Sequence, residues 1–130
     1  MSLQSIPSAD ILKACEAMLR KQLYVVFTTP TKGLEPVMAN LKEHLDFQMD
    51  LERRGIMFGG GRCNDDAEDA WEGEGMVIIR AGSLAEAKAI AESDPMHKAG
   101  ARSFTVRPWL LNEGTVTVKL TYSDGKRELI

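Results

Sequence analysis

The chain has 130 residues, 44% of them apolar and 27% charged, with a net charge of −3 at neutral pH. One domain with a real core fits that length. The mild acidity and the absence of a basic run exclude a nucleic-acid phosphate backbone as the expected partner, and no apolar run approaches the length of a membrane span. The first ten residues lack the basic start and apolar core of a signal peptide. Cys15 and Cys63 form neither a CxxC motif nor a disulfide framework. A reduced, cytoplasmic protein is the expectation. Met1-Ser2-Leu3 reads as a cloning scar.

In chain order, Ser8 to Arg20 reads as a helix capped by Ser8 or Asp10, with Ile11, Leu12, Cys15, Met18 and Leu19 on its apolar side. Leu23 to Thr29 is rich in β-branched and aromatic residues and predicts a buried strand. After a Pro/Gly loop, the segment from Pro36 to Gly55 predicts a single helix. Pro36 suits its first turn and Gly55 its C-terminal stop. Ile56 to Gly61 predicts a short strand running into a glycine bend. Asn64 to Glu74 is acidic and irregular, and contains Trp71. Gly75 to Ala81 predicts a second buried strand. Ser83-Leu84-Ala85-Glu86 is a capping box opening a helix that buries Leu84, Ala87 and Ala91 and stops before Pro95. Ala101 to Leu111 holds a fourth strand, clearest at Ser103–Arg107, with Pro108 marking an edge. Thr115 to Tyr122, the Asp124-Gly125 turn and Arg127 to Ile130 predict a hairpin.

Two βαβ-like halves with four core strands fit an α+β fold, a ferredoxin-like split βαβ with an antiparallel sheet. It carries an extra N-terminal helix (1–22) and a C-terminal hairpin (112–130) around a core at 23–111, all within a single domain. One helix per half covers one sheet face. A second subunit is the economical cover for the other, so a homodimer or higher homo-oligomer is expected.

The informative anomaly is in the helix after Pro36. Val37, Leu41, His44, Gln48 and Leu51 form one stripe, so an imidazole and an amide sit where apolar side chains belong. Such groups are either hydrogen-bonded core residues or the start of an active site. In the split-βαβ layout His44 lies near the end of the second helix, where Asp94 precedes Pro95. A carboxylate holding an imidazole fixes its tautomer and makes it a better general base. An Asp before Pro is more commonly a turn residue, so residue types alone leave the pair open.

The motifs carry a resemblance. Leu23-Tyr24-Val25-Val26-Phe27, Glu43-His44-Leu45, Gly55-Ile56-Met57-Phe58-Gly59-Gly60-Gly61, Gly75-Met76-Val77-Ile78-Ile79, Ser93-Asp94-Pro95-Met96-His97-Lys98-Ala99-Gly100 and Val106-Arg107-Pro108-Trp109 follow one another with the spacing of the YCII (YciI-like) family. That family belongs to the dimeric α+β barrel superfamily, and the resemblance spans about Leu23 to Trp109. It implies a dimeric ferredoxin-like fold and a His–Asp pair, here His44 and Asp94. It implies cofactor-independent acid–base chemistry, either an elimination such as dehydrochlorination or an isomerisation, on a small aromatic or lactone substrate. In that reading Gln48 holds a substrate oxygen, Met57, Phe58, Met96 and Trp109 wall the pocket, and Arg107 binds a carboxylate or phenolate. Each has an ordinary structural role as the alternative. The arginine often seen shortly before the family's histidine is missing, with Lys42 and Lys98 as candidate substitutes.

Other signals carry less. Gly59-Gly60-Gly61 lacks the Lys-Ser/Thr of a phosphate loop. The acidic segment fails the EF-hand pattern at Asp69. His97 is the only histidine that could join His44 at a metal, without ligand spacing, so neither metal nor cofactor is expected. Cys63 reads as a bystander thiol. The competing functions are a non-catalytic small-ligand-binding domain with a structural His44, and a protein-interaction domain docking through its C-terminal hairpin.

Overall fold

The computed structural model describes residues 4–130; Met1-Ser2-Leu3, with the cloning-scar reading, lies outside the described residues. In chain order the elements are α1 (Ser8–Ala14), β1 (Lys21–Pro30), α2 (Leu34–Ala39), α3 (Leu41–Arg53), β2 (Met57–Arg62), β3 (Gly75–Ile79), α4 (Leu84–Glu92), α5 (Pro95–Lys98), β4 (Arg102–Leu111), β5 (Val118–Leu120) and β6 (Arg127–Leu129). They divide into two compact units. One is Gln22–Leu110; the other combines the chain up to Lys21 with Leu111–Ile130.

The larger unit holds a four-stranded sheet in the order β2-β3-β1-β4, with β3 antiparallel to both β1 and β2. This is the ferredoxin-like α+β arrangement. Strand alternation sorts the side chains. Tyr24 and Val26 of β1, Val77 and Ile79 of β3, and Phe104 and Val106 of β4 pack with Ala87 and Ala91 of α4 in the main core. The small alanines let α4 lie close to the sheet. A second cluster joins Val37, Met96 and Ala101, with Trp71 packed against it. Phe27 and Met76, paired across β1 and β3, are out of phase with the main core and stay largely exposed.

The predicted single helix is two. Asn40 is both the C-cap of α2 and the N-cap of α3. Its amide Nδ2 donates to the Pro36 carbonyl at 2.8 Å, the local competition with helix bonding that asparagine offers. At the other end, Gly55 has φ +72°. The Gly55 and Ile56 amides donate to the Glu52 and Leu51 carbonyls, a Schellman stop that needs a residue at ease in the left-handed region. The capping box forms in a shifted version. Ser83 accepts from the Glu86 amide at 3.1 Å, and Glu86 accepts from the Gly82 amide at 2.9 Å.

The glycine run corrects a second expectation. Gly59, Gly60 and Gly61 lie within regular β2, paired with Ile78, Val77 and Met76, and no bend occurs there. The irregularity falls at Phe58, a bulge between Met57 and Gly59. Pro108 sits within β4, an edge strand, where a missing N–H is tolerated.

In the smaller unit α1 is shorter than predicted and has no side-chain cap, since Pro7 precedes it. None of its residues is buried. The hairpin strands pair over Val118–Leu120 and Arg127–Leu129 only. At the turn Gly125 has φ +69° and Asp124 accepts from the Lys126 amide at 2.9 Å.

Candidate active site

His44 occupies the second turn of α3, on the side that meets α5 and β2. Asp94 stands between α4 and α5. Pro95 cannot continue α4, and it opens α5 with Asp94 as N-cap, accepting from the Met96 amide at 2.9 Å. The carboxylate is thereby held in place, and it meets His44. Nδ1 of the imidazole lies 2.7 Å from Oδ2 and 2.9 Å from Oδ1. The two residues are 6% and 5% exposed, respectively. A carboxylate only accepts, so Nδ1 carries the proton and donates. That fixes the tautomer and leaves the lone pair on Nε2.

His44 lines a cavity of about 390 Å³. Gln48, one turn further along α3, lines it too. So do Thr28, Trp71, Val77 and Arg102, and the backbone of Gly60 and Gly61 forms part of the wall. Strand glycines leave there the space that side chains opposite α3 would fill.

Three of these neighbours, Thr28, Trp71 and Arg102, escape a reading by residue type. Thr28 is buried on the helix side of β1, and its hydroxyl bonds His97 Nε2 at 2.8 Å. The Nδ1–H of His97 donates to the Ala91 carbonyl at 2.6 Å, so Nε2 accepts from Thr28. The ring also packs on Phe104, 4.4 Å between centroids. Burial pushes the His97 pKa below its ordinary 6.5, outweighing the opposing hydrogen bond to Ala91 and the charge of Asp94. His97 is thus a neutral strut between α5, α4 and β1. Among the described residues, no group of three or more His, Cys, Asp or Glu side chains could hold a metal ion.

Arg102 is the first residue of β4 and is only 5% exposed. Its guanidinium lies 5.8 Å from the centre of the Trp71 ring. Trp71, delivered by the acidic loop, is fixed by its Nε1–H donating to the Glu74 carbonyl at 2.8 Å. Burial pushes the Arg102 pKa down, with the Asp94 charge acting the other way. The signal for Arg102 was strand phase. Alternation puts Arg102 on the same face as Phe104 and Val106, the helix side. Lys42 is highly exposed and paired with Asp46 at 2.8 Å, and Lys98 is exposed. Neither lines the cavity, so Arg102 is the buried cation there.

Five residues expected in the pocket lie elsewhere. Arg107 and Trp109 are exposed and out of phase with Phe104 and Val106, which puts them on the other sheet face. Met96 has no exposed surface and fills the second core cluster. Phe58 is the bulged residue, largely exposed beneath the Arg80 guanidinium at 5.3 Å. Met57 is half-buried at the start of β2, opposite Ile79 and outside the cavity.

A split-βαβ sheet with a His–Asp pair beside a cavity on its helix face defines the class as a ferredoxin-like α+β domain. The YCII-related domain family model matches residues 22–110, and the chain belongs to that family. A solved structure resembles it with a TM-score of 0.58 at 23% identity, over 67% of this chain and 92% of the other. That structure is the 5-chloro-2-hydroxyhydroquinone dehydrochlorinase TftG from Burkholderia phenoliruptrix AC1100, in complex with 2,5-dihydroxybenzoquinone. No curated protein matches the chain.

Proposed function

We propose that this protein is an enzyme that performs cofactor-independent general acid–base chemistry on a small organic molecule in the cavity beside His44. One observation carries the reading. A buried imidazole donates from Nδ1 to Asp94 and lines a cavity of about 390 Å³, near the low end of the ~300–1,000 Å³ range of ligand pockets. In the proposed step Nε2 takes a proton from carbon or from a phenolic oxygen. The electron pair of the broken bond expels a leaving group or becomes a new double bond. Asp94 stabilises the imidazolium, which returns the proton to product or solvent. In this reading Gln48, which lines the same cavity, holds a substrate oxygen.

The dehydrochlorinase neighbour, complexed with a hydroxylated quinone, supports trying chlorinated hydroquinols first and lactones second. No helix among the described residues is long and apolar enough to cross a membrane. We take the protein to be a cytoplasmic homodimer, with the exposed Phe27 and Met76 on the face a second subunit would cover.

The test is turnover of that panel, followed by halide release and ultraviolet absorbance. The wild type should convert at least one compound, and His44→Ala should lose about 10²–10⁴-fold in rate with its circular dichroism unchanged. No turnover across the panel, with His44→Ala several kcal/mol less stable, would identify His44 as a core histidine.

A further inference from the structure

We infer that Arg102 is the anion-recognising residue of the cavity, and that the ligand bound there carries a planar oxyanion, a carboxylate or a phenolate. The inference rests on reading the cavity as the substrate site.

Arg102 is a buried cation with no ion-pair partner among the described residues. It is 5% exposed, and its Nε is buried with no hydrogen-bond partner. Burying an unpaired guanidinium is costly, and removing a partner from a buried pair is among the larger single losses a fold can take. A structural arginine at this depth is normally held by a carboxylate or by carbonyl oxygens. Asp94 is near enough for its charge to favour the guanidinium, but its bonds go to His44 Nδ1 and the Met96 amide and it makes no ion pair with Arg102. Trp71 supplies only a cation–π contact, with the guanidinium carbon 5.8 Å from the ring centre. A cation–π contact occupies no N–H group, and Arg102 borders the cavity.

The fork geometry of those N–H groups matches two oxygens of a carboxylate, or the single oxygen of a phenolate, better than it matches a neutral carbonyl. Arg62 and Glu74 also border the cavity. Both are exposed, and their opposite charges leave the local balance to Arg102. A one-ring molecule would have its oxyanion on Arg102, its ring near Trp71, and another edge toward His44. Arg102 would then set which substrates bind, and its loss would raise KM more than it lowers kcat.

The experiment is isothermal titration of the wild type with two matched pairs. Benzoate is compared with benzamide for the carboxylate arm, and 4-nitrophenolate with 4-nitroanisole for the phenolate arm. A charge-assisted bond of this kind corresponds to roughly tenfold or more in affinity. At least one anion should therefore bind about tenfold tighter than its neutral counterpart, and the arm that responds identifies the oxyanion. Arg102→Met should abolish that preference, and Arg102→Lys, which keeps the charge but not the fork, should reduce it. Equal binding of both members of each pair to the wild type overturns the inference without need of a variant. So does a preference that survives in Arg102→Met or is undiminished in Arg102→Lys. Failure of the catalytic reading would look different. It would show as no turnover with His44 intact, and it would leave the anion preference in place.

Discussion

Asp94→Asn separates the electronic part of the pair from its structural part. The asparagine Oδ1 can still accept from the Met96 amide, which Asp94 now caps at 2.9 Å, so α5 keeps its start. The change falls on the other atom. Oδ2, the nearer acceptor for His44 Nδ1 at 2.7 Å, becomes an NH₂ group, while Oδ1, 2.9 Å from Nδ1, is the atom that holds the Met96 amide. Two donors then face each other, and the relief is for His44 to move its proton to Nε2 and accept at Nδ1. Nε2 then loses its lone pair and can no longer act as a base. A lost general base corresponds to about 10²–10⁴-fold in rate. The same swap in the serine-protease triad costs about 10⁴-fold with the geometry intact. Stability should fall little. A charged hydrogen bond worth about 1.5–3 kcal/mol becomes a neutral one worth about 0.5–1.5, a difference near 1 kcal/mol. The direct assay needs no substrate. Long-range ¹H–¹⁵N correlation of the imidazole should report the Nδ1–H form in the wild type and the Nε2–H form in Asp94→Asn, with urea midpoints close together. An Nε2–H tautomer in the wild type, or an unchanged tautomer in the variant, would refute the reasoning.

Two further predictions concern the walls. His97 is held neutral, its pKa pushed below 6.5 mainly by burial. As pH falls the unfolded chain therefore binds this proton first. The stability it contributes is complete above about pH 6.5 and is lost as pH falls through the folded value. Urea unfolding should show stability dropping as pH falls below about 6.5, and His97→Asn should flatten that slope; an identical slope in the variant rejects the role. Gly60 lies in the cavity wall, and a Cβ there would meet Met57 Sδ at 3.5 Å and Val77 Cγ2 at 3.6 Å, which is ordinary contact. Gly60→Ala should match or exceed wild-type stability by about 0.4–1 kcal/mol while weakening ligand binding, as calorimetry would show; unchanged affinity would mean the floor is not used.

What could be read beforehand was local. The Ser83–Glu86 cap, the Gly55 stop and the Asp124-Gly125 turn each depend on a few adjacent residues, and each formed. His44 and Asp94 were conspicuous because a polar residue within an apolar stripe and an acid before proline both ask for a partner. The Asn40 break was missed because the apolar stripe runs through it, while the asparagine side chain competes for the Pro36 carbonyl. Arg107 and Trp109 were singled out and Arg102 was overlooked, for one reason. Strand residues alternate faces, so Phe104 and Val106 on the helix side bring Arg102 with them and send Arg107 and Trp109 to the other face. Met96 was correctly judged apolar, but apolarity does not distinguish a cavity wall from a core.

The same parity argument explains the bulge at Phe58. Met57 pairs with Ile79, and without the extra residue Gly59 would oppose Val77 and Gly61 would oppose Gly75. With it, Gly60 opposes Val77 and Arg62 opposes Gly75. The bulge thus carries bulky Phe58 out of the ladder, places a glycine beside Val77 in the cavity wall, and brings Arg62 to the cavity. Bulges beside functional sites re-aim side chains in this way. Here one inserted residue on an edge strand sets which β2 positions oppose Val77 and Gly75. Arg102 reaches the same cavity from the opposite edge strand, β4. The open floor and the buried cation are therefore both consequences of register, which is why neither could be assigned from residue types alone.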